Sequence, residues 1–282
     1  MPRAASWTLR DRRLDLSQPL AAGIVNVTSD SMFSGARSAT PEGAVADGRA
    51  LAEVGFDMLD VGAVAARSGP AVAADREAAA LVPAIEGLLA TGLPISADTF
   101  SPVVARQAID AGAVAINDIG GGSEEMLDLV AGARCGYVLM HIEGPPRSDR
   151  QPPAYEDPVD HLKSWFEERI EVATARGVDE DRIAIDPGFD FDLGPADGVT
   201  VLRRLGELHE LGRPLYVSLS RKDLIGAVLA GSWEDRLPAE QREWGTVAAV
   251  SLAVAAGAQV LRVHDRSSLQ AVRVAGRIAA AA

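Results

Sequence analysis

The stretch "AGAVAINDI", residues 111–119, closes a helical segment on Gly112 and opens an apolar run that reads as a strand. The same junction recurs as "VGFDMLDVG" at 54–62 and "AGAQVLRVH" at 256–264. A glycine just past a helix end is a common left-handed cap, so the three copies mark helix-to-strand turns. Outward from these junctions, apolar runs bounded by Gly, Pro, Asp or Asn give eight strand candidates: 21–27, 57–63, 93–99, 113–119, 136–142, 182–188, 215–220 and 259–265. Segments of helical period follow each of them, over Pro41–Val54, Ala74–Ala90, Pro102–Ala111, Glu124–Arg134, Pro158–Arg176, Asp197–Leu211, a longer Asp223–Ala256, and Ser267–Ala281. The alternation is complete.

Near-continuous apolar strands belong to parallel sheets covered on both faces. Eight βα units in 282 residues predict an α/β fold of the (β/α)8 TIM-barrel type rather than an open doubly wound sheet. Upstream, "WTLRDRRLDL" predicts a short N-terminal hairpin turning at Asp11-Arg12 and covering the barrel's bottom. No linker or low-complexity tract interrupts the pattern, so one domain is expected over 1–282.

Composition narrows the function. Hydrophobic residues make up 48% and charged residues 24%, and no apolar run approaches the roughly 20 residues of a membrane helix. The amino terminus lacks the apolar region of a secretory signal, which predicts a cytoplasmic protein with no membrane partner. A single cysteine, Cys135, cannot form an internal disulfide and reads as a small buried hydrophobe. The net charge of −13 argues against a nucleic-acid surface, so an anionic ligand must be held by a few local cations. Only Lys163 and Lys222 are lysines.

In such a barrel the carboxyl ends of the strands face the active site. Here they carry Asn26, Asp60, Asp98, Asn117 with Asp118, Met140 with His141, Asp186, Ser220 with Arg221 and Lys222, and Arg262 with His264. Any one Asp or Asn after a strand is usually a turn former or helix cap, as Thr99 and Ser101 are expected to be. Together, Asp98, Asn117 and Asp186 offer the acceptors and donors that grip a flat heterocycle by its edge. Lys222, Arg262 and His264 fall where this fold often binds phosphate, and Arg262 and His264, two apart on a strand, share a face. Asn26 supplies an oxygen suited to Mg2+ riding on a diphosphate. No zinc-type His/Cys spacing, P-loop or Gly-x-Ser-x-Gly elbow is present.

These residues resemble the dihydropteroate synthase family over essentially the whole chain, through "GIVNVTSDS", "DVGAVAARSG", "SADT", "INDI", "LMHIEG", "DPGFDF", "SLSRK" and "RVHD" in family order. The resemblance implies a transferase of folate biosynthesis that joins a dihydropterin hydroxymethyl diphosphate to p-aminobenzoate with Mg2+ bound. Carried over by motif, Asn26 looks like the magnesium-associated residue, and Asp98, Asn117, Asp186 and Lys222 look like the pterin grip with Met140 on the ring. Arg262 and His264 resemble the diphosphate site, while Ser220, Arg67 and Phe191 resemble positions framing the aminobenzoate. The resemblance also implies a homodimer, for which the last helices are candidates. The departures lie in the loops. Ser29 and Met32 replace a proline and an aromatic, Ala66 and Ser68 replace a hydroxyl and a proline, and Asp190 and Asp192 bring two negative charges toward a site for anions. Two further readings share the barrel and pterin grip, a pterin-binding paralogue without condensation activity and a folate-binding corrinoid methyltransferase domain. Intact "SRK" and "RVHD" favour diphosphate chemistry over the latter.

Overall fold

The computed structural model describes residues 3–27, 38, 40–65, 69, 71–148 and 153–281. An antiparallel hairpin of β1 (Ser6–Thr8) and β2 (Arg13–Asp15) leads into eight parallel strands: β3 (Leu20–Asn26), β4 (Met58–Gly62), β5 (Ile95–Asp98), β6 (Ala115–Asp118), β7 (Gly136–Met140), β8 (Ile183–Asp186), β9 (Tyr216–Val217) and β10 (Val260–Val263). The sheet order is β8-β7-β6-β5-β4-β3-β10-β9, and a parallel bridge between Ile185 and Leu215 joins its two ends. The expected (β/α)8 barrel is therefore closed.

Helices α1 (Pro41–Glu53), α2 (Ala74–Leu88), α3 (Pro102–Asp110), α4 (Glu124–Ala133), α5 (Pro158–Ala175), α6 (Pro195–Arg203), α7 (Asp223–Ala230), α8 (Glu243–Ala255) and α9 (Arg266–Ala280) pack outside. Their starts are written locally: Thr40, Ser101, Ser123, Asp157 and Asp265 each accept a backbone N–H of the first turn. Their ends bear out the opening junctions, since Gly55, Gly112 and Gly257 all have left-handed φ, between 99° and 114°. Two expected helices are broken: 197–211 is α6 followed by a 3-10 stretch over Leu205–Leu211. The segment 223–256 is two helices, because α7 stops at left-handed Gly231 and Pro238 leads into a separate 3-10 turn before α8.

Inside the barrel, side chains stack in layers. The lower layer is apolar: Ala22, Met58, Ala115, Val138, Ala184, Tyr216 and Val260 cluster with Trp7, Leu9 and Leu16 of the hairpin segment. Trp7 is fully buried, meets Tyr216 edge-on at 6.4 Å and donates its indole N–H to the Arg182 carbonyl at 2.7 Å. The hairpin thus plugs the bottom, as its sequence predicts. Outward-facing strand residues such as Leu59, Ile116, Ile185 and Leu261 form the second core beneath the helices.

Candidate active site

Two residues further along the same strands the interior changes character. Above Met58 stands Asp60, above Ala115 Asn117, above Ala184 Asp186 and above Val260 Arg262. Period-2 alternation carries each of these inward. Asp60 is fully buried and is the hub: it accepts from the Ser96 hydroxyl at 2.5 Å, from Asn117 Nδ2 at 3.1 Å and from Arg262 Nε. Arg262 Nη2 donates to Asp98 Oδ2 at 2.6 Å. Asp60, merely one of several strand-end carboxylates in the sequence, organises the layer; its partners lie 36 to 202 residues away in the chain, so no local pattern announces it.

The electrostatics follow from crowding three carboxylates around one guanidinium. Burial pushes the Asp98 carboxyl up to about 7 even though Arg262 pulls the other way. Burial likewise lifts Asp186 to about 6, against a 2.9 Å hydrogen bond from the Gly188 N–H and the charge of Lys222. Burial disfavours the charge on Arg262, but Asp60 and Asp98 outweigh it and hold its proton more firmly than usual. Asn117 Oδ1 is buried with no hydrogen-bond partner, a cost of about 1–3 kcal/mol that a ligand donor would remove.

Gly188 sets the turn that bears Asp186. Its φ is 72°, and a Cβ there would stand 2.2 Å from the His141 carbonyl oxygen, so only glycine fits. Lys222, at the N-cap of α7, donates from Nζ to the Phe189 carbonyl at 2.9 Å and sits 4.8 Å from the centre of the Phe191 ring. Met140 and Phe191 share one apolar wall with Ile119, Ile142 and Phe100. Asn26 ends β3, half-buried, with its carbonyl accepting from the Ser38 N–H at 3.1 Å.

On the other side, Ser220 Oγ pairs with His264 Nδ1 at 2.8 Å. The sequence counts His264 with the cations. In the fold, burial and Arg262 push its imidazole down to about 3, so at neutral pH it is an uncharged ring. Arg221, between Ser220 and Lys222, turns away with left-handed backbone (φ 56°) and binds Asp265 and the Ala239 carbonyl. Asp118 likewise leaves the mouth, accepting from the Gly120 and Gly122 N–H groups and the Tyr137 hydroxyl. Arg67, Ser29, Met32, Ala66 and Ser68 lie outside the described residues.

The two extra carboxylates after β8 accept backbone donors. Asp190, itself left-handed at φ 67°, accepts the Asp223 and Leu224 N–H groups at the start of α7, and Asp192 accepts the Glu143 N–H at 2.7 Å. Both negative charges are directed at backbone donors, one at a helix N-terminus where a carboxylate is favoured. Thr99 and Ser101 behave as expected, Thr99 accepting the Ser101 N–H at 3.2 Å and donating to Glu77, and Ser101 capping α3.

This arrangement of a closed barrel with a charged mouth has counterparts. A family model described as "Pterin binding enzyme" matches residues 22–264. A dihydropteroate synthase of Synechocystis sp. is 35% identical over 247 residues, covering 86% of this chain and 84% of that protein. The crystal structure of Xanthomonas albilineans dihydropteroate synthase with 4-aminobenzoic acid superposes with a TM-score of 0.86 at 42% identity, covering 98% of both chains. The same enzyme in complex with 7,8-dihydropteroate gives a TM-score of 0.82 at 40% identity, over 97% of this chain and 98% of that one. With agreement in sequence and fold across nearly its whole length, the chain belongs to the dihydropteroate synthase family of pterin binding enzymes.

Proposed function

We propose that the barrel mouth binds 6-hydroxymethyl-7,8-dihydropterin diphosphate and p-aminobenzoate and joins them, giving 7,8-dihydropteroate and diphosphate. The chain is a transferase, and in this reading the aminobenzoate nitrogen attacks the pterin methylene, the C–O bond to diphosphate breaks, and the amine gives up a proton. The observation that supports it most is the set of buried Asn117 and Asp186 with the partly buried Asp98–Arg262 pair, in which the Asn117 oxygen lacks a donor. A pterin edge rich in N–H groups supplies such donors.

Asp186, Asn117 and Lys222 hold the pterin, with Met140 on its face. Asp98 stands where positive charge grows on the methylene as the leaving group departs. Arg262, already shared between Asp60 and Asp98, links the pterin end to the diphosphate end, where His264 donates as a neutral ring. Ser220, Phe191 and Arg67 frame the aminobenzoate. Asn26 offers a hard amide oxygen at the strand end, a donor that fits Mg2+, and together with the diphosphate it would hold the ion. Bound there, Mg2+ supplies neutralising charge to the departing diphosphate.

The Cys135 thiol is buried, and burial pushes it up to about 12, as expected of a small core residue. No helix among the described residues is long and apolar enough to cross a membrane. Homodimerisation through the last helices belongs to the same reading: Val228, Leu229, Trp244, Leu252, Val274 and Ile278 are exposed on α7, α8 and α9, with Trp244 77% exposed. Light scattering on Trp244→Glu checks it, with dimer expected for the unsubstituted chain and monomer for the variant.

The deciding assay is diphosphate release from the pterin substrate with Mg2+, with and without p-aminobenzoate. Release that depends on the amine supports the condensation; tight pterin binding without release overturns it in favour of a binding protein.

A further inference from the structure

Away from the pterin pocket, the end of β7 and the first turn of α5 bring three ligating side chains together. His141 follows Met140, and alternation turns it to the opposite side. Its ring is fully buried, edge-on to Trp165 at 5.0 Å and to His161 at 5.4 Å. Its Nδ1 has no hydrogen-bond partner, and its Nε2 has only a long contact to Glu143, an unusual state for a buried imidazole. Glu143 Oε1 lies 3.4 Å from His141 Nε2 and 2.7 Å from His161 Nε2. One ligand atom from each of the three falls within 4.8 Å of the others.

We propose that His141, Glu143 and His161 form a site for a borderline divalent transition metal of the Zn2+ class. Donors 2.0–2.1 Å from a tetrahedral ion stand roughly 3.3 Å apart, close to the His141–Glu143 separation. The shorter His161–Glu143 contact is a hydrogen bond whose proton the ion would displace, releasing it to solvent. Two imidazoles with one carboxylate suit zinc or its neighbours in the first transition row better than Mg2+ or Ca2+, which prefer all-oxygen shells. Outer contacts hold the ligands in place. Asp192 accepts the Glu143 N–H at 2.7 Å, and the Tyr155 ring lies 4.4 Å from that of His161. A cavity of about 500 Å³ lined by Gly121, Ile142, Glu143, Trp165 and Arg169 opens beside Glu143 and gives an ion a way in.

The role is structural. The ion would tie the loop after β7 to α5, and that loop also carries Arg147, whose guanidinium donates to the Ala65 carbonyl after β4. One metal would thereby brace two of the loops that surround the mouth.

Zn2+ titrated calorimetrically into the metal-stripped full chain tests the assignment. The expected result is one Zn2+ per chain, binding weakened at least tenfold by His161→Ala and by Glu143→Gln and kept by His264→Ala, and Co2+ substitution giving the visible absorption of a four-coordinate imidazole site. Zinc should also raise the melting temperature of the unsubstituted chain but not of His161→Ala. His161 is partly exposed, 34% by side chain, so the variant keeps its fold, which circular dichroism verifies. No saturable binding, or binding that both variants leave unchanged, overturns the site and leaves the cluster as a hydrogen-bonded Glu–His pair.

Discussion

The two ends of this barrel are built from the same strands, yet they answer different demands. At the bottom, Ala22, Met58, Ala115, Val138, Ala184, Tyr216 and Val260 close around Trp7, whose one polar atom has a partner. Roughly 6.6 Å higher, at two residues of strand rise, Asp60, Asn117, Asp186 and Arg262 replace Met58, Ala115, Ala184 and Val260. The lower layer is apolar but for the paired Trp7 N–H and the buried Tyr216 hydroxyl, which has no partner; the upper one buries the Asp98 and Asp186 carboxyls, which raises their proton affinities, and leaves the Asn117 oxygen unpaired. The difference teaches that the plugged end secures the barrel while the mouth holds chemistry that only a ligand completes. Its corollary is that damage at the two ends should separate into stability and activity.

The largest effect is expected at the bottom. Trp7→Ala removes a fully buried aromatic and should cost about 3–5 kcal/mol of stability, read as a lower denaturant midpoint. Turnover per folded molecule should be unchanged, and a loss of kcat with stability intact would erase the distinction. At the mouth, Asp98→Asn should lower turnover by about a hundredfold, roughly 2.7 kcal/mol in the barrier, with little loss of fold. Its pH behaviour sharpens the comparison. A carboxyl whose native value rises to about 7 contributes stability that is full below its unfolded value and gone once the pH passes about 7. The melting temperature of Asp98→Asn relative to the unsubstituted chain should therefore rise between pH 5 and 8, and a fall would contradict the raised carboxyl.

A smaller effect distinguishes the loop after β8 from the mouth proper. Asp190→Ala should cost about 1–2 kcal/mol of stability, because it uncaps α7, while leaving the KM for the pterin diphosphate unchanged. A clear drop in KM would mean that Asp190 faces the anion after all. Smallest is a proton count. Asp186 near 6 and Asp98 near 7 are partly protonated at pH 6.5, and a pterin's N–H donors favour the ionised forms. Binding should then release a fraction of a proton at pH 6.5 and none at pH 8, measured by calorimetry in buffers of different ionisation enthalpy. Proton uptake would contradict the carboxylate grip.

The barrel was legible in the chain because its cues are local: Gly55, Gly112 and Gly257 stop helices, apolar runs mark buried strands, and Pro41, Pro102 and Pro158 stand at the first helical position after a capping side chain. The break within 223–256 was available too, in Gly231 and Pro238, but the helical period on either side masks it. At the site, the inward placement of Asn117, Asp186 and Arg262 follows from strand ends and period-2 spacing. What stayed hidden depends on contacts between distant segments. Asp60 becomes a hub only when β4, β5, β6 and β10 close around it, His264 loses its charge only once it is buried next to Arg262, and Asp190 meets its donors only once α7 presents its first amides. Charge signs read along a sequence say nothing about which way a carboxylate points.

A crystal structure of the chain with the dihydropterin diphosphate bound tests the central claim most directly. The expected result is a pterin ring whose N–H edge donates to Asn117 Oδ1 and Asp186, with Met140 on its face and the ring above the apolar layer. A ring bound elsewhere, with Asn117 Oδ1 still lacking a donor, would contradict it.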